Sequence, residues 1–281
     1  MLKSIPGARS SHHYRRLGAP LVLAFVLLFA AIPVALASPH SSSLVGPKKY
    51  YLALGDSLAF GYQPDLDFNH GYAHDFYANL QTQGTTSQAN LGCPDETSIT
   101  FVNGHCKGAI LRKFPYTGAQ LDAAVAYLKL LRGQVSPVTL DIGANDVLPA
   151  INKNTCVVNA SEFEANLATL DDNLTQSILP RLHAALTVNA TLTGDLAVMN
   201  YYDPYLVKCP ATLPYLELLN QHLANDVNGY GTLVDVFGAF GGTSNANTCT
   251  YTWICSAFKD IHPRDVGYSV IAATFENSLG Y

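Results

Sequence analysis

Two short apolar runs of this chain end in the same way. Tyr50-Tyr51-Leu52-Ala53-Leu54 leads into Gly55-Asp56-Ser57-Leu58, and Val138-Thr139-Leu140-Asp141-Ile142 leads into Gly143-Ala144-Asn145-Asp146. Runs of this length, rich in apolar, β-branched or aromatic side chains and closed by glycine, read as buried parallel strands whose backbone turns sharply at the C-terminal end. A strand buried on both faces needs helices on both sides of its sheet, and the sequence supplies candidates. Gly71 to Leu80 reads as a short helix. Thr117 is positioned to cap a helix from Gly118 to Arg132, in which Leu121, Ala124, Val125, Leu128 and Leu131 recur at helical spacing. Ser161 and Glu164 form a capping box beside the face Phe163, Leu167, Leu170, Leu174, Ile178 and Leu182. Further helices are expected over Leu213 to Val227 and Arg264 to Leu279, and further strands over Leu196 to Tyr201 and Thr232 to Val236. The Gln-, Thr-, Gly- and Ser-rich stretch after Leu80 reads as loop. Strands alternating with helices define an α/β fold with a mainly parallel sheet covered on both faces, and such sheets bind ligands at the C-terminal ends of their strands.

The first 37 residues differ in character from the rest. Lys3, Arg9, Arg15 and Arg16 precede an apolar stretch from Ala19 to Ala37, and Ala35-Leu36-Ala37-Ser38 forms a small-residue cleavage site, the pattern of a secretory signal peptide cut after Ala37. The alternative is an uncleaved anchor, because the apolar stretch approaches the roughly 20 residues that span a bilayer. Arg15-Arg16 leaves twin-arginine export open beside the general route. Residues 38–48 read as a short mobile linker and residues 49–281 as one domain. The leader holds four of the 16 basic residues and none of the 21 acids, so the remaining 244 residues carry a formal charge of −9. An acidic surface argues against nucleic acid or an anionic membrane as the main partner. With 48% apolar and only 13% charged residues, the composition is that of a folded globule.

All six cysteines lie beyond the leader, where an oxidising compartment permits disulfides. Six cysteines allow 15 pairings. Cys249 and Cys255 bracket a short loop, and Cys93 and Cys106 bracket a Gly- and Asn-containing segment, which favours nearest-neighbour bridges with Cys156–Cys209 as the third. No Cys-x-x-Cys spacing occurs, and no metal site is expected.

Serine chemistry needs a base for the hydroxyl proton, hydrogen-bond donors for the oxyanion, and commonly an acid that orients the base. Ser57 is the candidate nucleophile at the first strand end. His262, in Asp260-Ile261-His262-Pro263, lies directly before the closing helix and so belongs on the rim of the sheet. Asn145 stands at the second strand end. Taken together, Gly55-Asp56-Ser57-Leu58, Gly143-Ala144-Asn145-Asp146 and Ile261-His262-Pro263 resemble, in order, the nucleophile, asparagine and histidine blocks of the SGNH hydrolases, also called the GDSL lipase/esterase family. Asn90 to Ser98 falls where that family's glycine block stands, and the blocks span nearly all of the exported chain. The cysteine content resembles the family's secreted, disulfide-containing branch.

The resemblance implies a three-layer α/β/α sandwich of flavodoxin-like outline. It implies Ser57 as nucleophile, His262 as general base, and the Ser57 backbone N–H with the Asn145 amide as oxyanion donors. In two places the sequence departs from the family pattern. Asp95 occupies the position of the usual glycine before the acid-threonine pair Glu96-Thr97, so either Asp95 supplies the third N–H or Gly92 does from a shifted loop. Lys259 stands three residues before His262, where many members carry the acid; Asp260, two residues before, is the candidate third member, with a backbone carbonyl as the alternative. The implied reaction is hydrolysis of a carboxylic ester through an acyl-enzyme on Ser57, needing no cofactor, by a monomer acting on a small-molecule, lipid or glycan ester. A carbohydrate acetyl esterase is the second reading, with Tyr62, Tyr72, Tyr201, Tyr202 and Tyr205 as sugar-stacking candidates, and an inactive glycan- or lipid-binding relative the third.

Overall fold

The glycine-ended runs stand side by side in the middle of one sheet. A computed structural model describes residues 44–281 except residue 245. Its main sheet holds five strands: β1 (Tyr50–Gly55), β2 (Ser87–Asn90), β3 (Val135–Asp141), β4 (Leu196–Met199) and β5 (Thr232–Val234). They lie in the order β2-β1-β3-β4-β5, and every pairing is parallel. All of β3 and β4 and all but the first residue of β1 are buried, as a sheet covered on both faces requires. Helices α1 (Ser57–Phe60), α2 (Tyr72–Thr82), α3 (Ser98–Asn103), α4 (Gln120–Leu130), α5 (Ala144–Val147), α6 (Ala160–Asn173), α7 (Leu179–Leu186), α8 (Leu213–Val227) and α9 (Asp265–Leu279) connect and cover the strands. Helix α2 packs against α9, while α4 packs on α7 and α6 on α8. The α/β architecture expected from the strand-helix alternation is the one observed.

Several local expectations need correction. Strand β2 falls in the stretch read as loop. It is an edge strand paired only with β1, and of its four residues only Ala89 is buried, so no apolar alternation marks it. Backbone pairing makes it a strand, not side-chain burial. Helix α4 starts at Gln120 with Ala119 at its N-cap and no side-chain cap, so Thr117 has no capping role. At α6 the cap is Asn159, which accepts from the Glu162 N–H, and Ser161 lies inside the helix. Strand β3 begins earlier than expected and runs through Pro137, where its register with β1 shifts. A missing N–H suits such an irregularity.

The expected linker ends sooner than residue 48. Asp195 accepts the N–H groups of Val45 and Gly46, both at 2.8 Å, and the Lys48 N–H donates to the Ser136 carbonyl at 2.9 Å. The expected signal peptide and the first part of that linker lie outside the described residues. Among the described residues, no helix is long and apolar enough to cross a membrane. Disulfides join Cys93 to Cys106, Cys156 to Cys209 and Cys249 to Cys255, the nearest-neighbour pairing expected from the sequence.

Candidate active site

Ser57 owes its position to the turn that ends β1. Gly55 has φ +135°, and a Cβ there would lie 2.2 Å from the Asp141 carbonyl oxygen, so only glycine lets the ends of β1 and β3 approach this closely. The Gln120 side chain grips both backbone groups of Gly55, accepting its N–H at 2.7 Å and donating to its carbonyl at 2.9 Å. Asp56 caps α1 by accepting the Leu58 N–H at 2.8 Å, which leaves Ser57 as the first helical residue at the C-terminal edge of the sheet. Beneath it, buried Asp141 accepts the Asp56 N–H at 3.0 Å and the Tyr72 hydroxyl at 2.5 Å. Burial, then the charge of Asp56, pushes the Asp141 carboxyl well above the usual range.

Asn145 is presented by the equivalent turn after β3. Gly143 has φ +122°, and a Cβ would meet Leu170 Cδ2 at 2.7 Å. The Asn145 amide donates one N–H to the Glu96 carbonyl at 2.9 Å, which leaves the second for the cavity it lines. Its neighbour Asp146 accepts from the Ser98 N–H at 2.9 Å and the Ser98 hydroxyl at 2.6 Å, tying this turn to α3. Burial pushes the Asp146 carboxyl up to about 6 against the pull of the Ser98 bonds. Glu96 is buried; one carboxyl oxygen accepts from Gln120 at 2.9 Å, the other has no partner, and burial raises its pKa. The adjacent sulfurs of Cys93 and Cys106 are bonded to each other and offer no thiolate to a metal.

The two candidates for the third oxyanion donor differ in environment. The Gly92 N–H donates to Asn90 Oδ1 at 3.0 Å, and a Cβ on Gly92 would lie 2.6 Å from the Phe60 nitrogen. Gly92 therefore packs onto α1, with its N–H already held by Asn90. Asp95 lines the cavity with Ser57, Asn145 and His262. It is exposed with φ +64°, and among the described residues its N–H has no hydrogen-bond partner.

His262 meets Ser57 from the loop before α9. Its Nε2 lies 2.8 Å from Ser57 Oγ, and its Nδ1 lies 2.7 Å from Asp260 Oδ1, which also accepts the His262 backbone N–H at 2.9 Å. Burial pushes the Asp260 carboxyl up, but the hydrogen bonds and charge of His262 outweigh it and hold the group below the usual range. Lys259, with φ +50°, turns the chain just before Asp260, and its own side chain is exposed. The loop is fixed on three sides. The Trp253 N–H donates to the His262 carbonyl at 3.0 Å, the Tyr202 hydroxyl donates to the Ile261 carbonyl at 2.8 Å, and the Tyr62 ring lies 4.6 Å from the imidazole.

The structure thus brings Ser57, His262, Asp260, Asn145 and Asp95 together. Of the tyrosines considered for sugar stacking, Tyr72, Tyr201 and Tyr202 are buried, and only Tyr62 and Tyr205 are partly accessible. Gln120, Asp141 and Asp146 were missed, and Tyr202 was named only as a sugar-stacking candidate, not as a support of the His262 loop. Asp146 was findable as the acid beside Asn145; the other three carry no local signal, because each acts on a backbone or carboxylate far away in sequence.

Fold and site define a hydrolase-type α/β protein with a hydroxyl, an imidazole and an amide converging at strand ends. Residues 53–270 match the GDSL-like Lipase/Acylhydrolase family, and the chain belongs to that family. No curated protein matches the chain. Among solved structures, the lipase Lip_vut3 from a goat rumen metagenome superposes with a TM-score of 0.61 at 15% identity, covering 82% of this chain and 96% of that one. A putative GDSL-like lipase from Parabacteroides merdae gives 0.57 at 13% identity, covering 84% and 99%. Axe2, an acetylxylan esterase from Geobacillus stearothermophilus, gives 0.51 at 17% identity, covering 84% and 96%. At these identities the likeness concerns the fold.

Proposed function

We propose that the protein is a secreted carboxylic ester hydrolase that works through an acyl-enzyme on Ser57. The observation that carries this reading is the 2.8 Å approach of His262 Nε2 to the Ser57 hydroxyl. Ser57 Oγ attacks the ester carbonyl as its proton passes to Nε2, and Asp260 stabilises the imidazolium through Nδ1–H. The carbonyl oxygen becomes an oxyanion held by the Ser57 and Asp95 N–H groups and the second N–H of Asn145. Collapse expels the alcohol, which takes the proton from Nε2. Water, activated by the same imidazole, then attacks the acyl-enzyme and releases the acid. Each step is proton transfer or acyl transfer by groups of this chain.

Secretion is supported by the three disulfides together with the leader-like sequence of residues 1–37. A fluorophosphonate should label Ser57, and Ser57→Ala should abolish hydrolysis of a short-chain aryl ester while leaving the thermal melt nearly unchanged. Full activity in Ser57→Ala would overturn the assignment.

A further inference from the structure

The space around Ser57 has two parts of opposite character. One is a recessed cavity of about 150 Å³, in which Val147, Phe163 and Leu219 are buried and Leu148, Ile151 and Leu216 stand half-buried. Away from the reacting groups, Asp203 and Thr212 in its wall are already engaged. Asp203 accepts the Tyr205 N–H at 2.8 Å, the Leu206 N–H at 3.1 Å and the Thr212 hydroxyl at 2.6 Å, so the wall presents hydrocarbon to an incoming group. The other part is an open groove of about 910 Å³ that shares Asp95, Asn145, Leu148, Ile151 and Tyr205 with the cavity. Its further lining is rich in hydrogen-bonding groups, among them Thr97, Lys107, Asn152, Lys153 and Thr155.

We propose that the substrate is an ester of a medium-length acyl group, about six carbons, with a polyhydroxy alcohol, the acyl chain filling the cavity and the alcohol lying in the groove. This rests on the esterase reading above. A dry apolar cavity of roughly 150 Å³ holds one benzene ring, about six carbon atoms. An acetyl group leaves most of such a space empty, and a palmitoyl chain exceeds it. Each methylene that leaves water for an apolar wall is favoured about fourfold. The assignment of sides follows from the same physics. A polyhydroxy group in the cavity would lose its water without gaining partners, whereas the groove offers amide, hydroxyl and ammonium groups and stays open to solvent.

The test is kcat/KM of the purified protein on p-nitrophenyl esters from acetyl to palmitoyl, run beside fluorophosphonate labelling. The values should rise about fourfold per methylene to near hexanoyl and fall beyond octanoyl. Leu216→Trp, at a half-buried position, should lower the hexanoyl-to-acetyl ratio at least tenfold, and Leu219→Ala should move the optimum to longer chains. On the alcohol side, 1-hexanoylglycerol and a hexanoyl glucose should each exceed hexyl hexanoate at least tenfold, and their relative rates tell a glycerol from a sugar source. A labelled enzyme that peaks at acetyl or palmitoyl, or prefers hexyl hexanoate, overturns this inference alone. Absence of both labelling and turnover overturns the esterase reading and this inference with it.

Discussion

One oxygen of Asp260, Oδ1, receives both N–H groups of His262, the ring Nδ1 at 2.7 Å and the backbone nitrogen at 2.9 Å. An ionised carboxylate can only accept, so Nδ1 carries the proton and Nε2 presents its lone pair to Ser57. Contact with the backbone as well as the ring lets an acid only two residues before the histidine reach Nδ1.

Asp260→Ala should therefore lower kcat by orders of magnitude, up to about 10⁴-fold, with little change in KM. Asp260→Asn should lose nearly as much, because an amide can favour the wrong tautomer. Steady-state kinetics on an aryl ester decide the matter, and a loss of less than about tenfold removes Asp260 from the triad.

Asn145 is assigned an interaction that strengthens only as the oxyanion forms. Asn145→Ala should cost on the order of 10²- to 10³-fold in kcat, about 3 to 4 kcal/mol, while KM stays within a few-fold. A change confined to KM would mean that the amide serves ground-state binding.

Asp146 ties stability to pH. Its carboxyl is pushed up to about 6 by burial, above the unfolded value of roughly 4. Between those values the folded protein binds more protons than the unfolded chain, so the contribution of Asp146 to stability is largest below about pH 4 and declines as pH rises to about 6. The full change is on the order of 3 kcal/mol. Urea melts from pH 4 to 7 should show wild type losing stability relative to Asp146→Asn over that window. A constant difference between the two proteins would contradict the buried, raised carboxyl.

The Cys249–Cys255 bridge encloses Thr252 and Trp253, the segment that holds the His262 carbonyl and pairs with Pro263. It closes a short loop, so replacing both cysteines by serine should cost only about 2 kcal/mol of stability. Catalysis should suffer more, with kcat falling at least tenfold because the imidazole loses its fixed approach to Ser57. Unchanged kcat with a lowered melting temperature would leave the bridge a purely stabilising role.

Legibility varied with the range of the interaction. Strands β1 and β3 and helix α8 were readable, because buried apolar runs and helical periodicity are written in consecutive residues. Strand β2 was not, since Ser87, Gln88 and Asn90 take their extended form from pairing with β1 and not from their own burial. The different environments of Asp95 and Gly92 were equally hidden, because they come from the hold of Asn90 on the Gly92 N–H and from the contact of Gly92 with α1.

By itself the sequence determined the α/β class, the residue types at the strand ends and the family resemblance, because these depend on local pattern and block order. Tertiary structure alone decided that His262, 205 residues from Ser57 in the chain, stands 2.8 Å from its hydroxyl. It also decided that Gln120 and Asp146 lock the surrounding turns and that an apolar cavity opens beside the serine. Distances between remote residues are set by packing of the whole sheet and its helices, and no local segment encodes them.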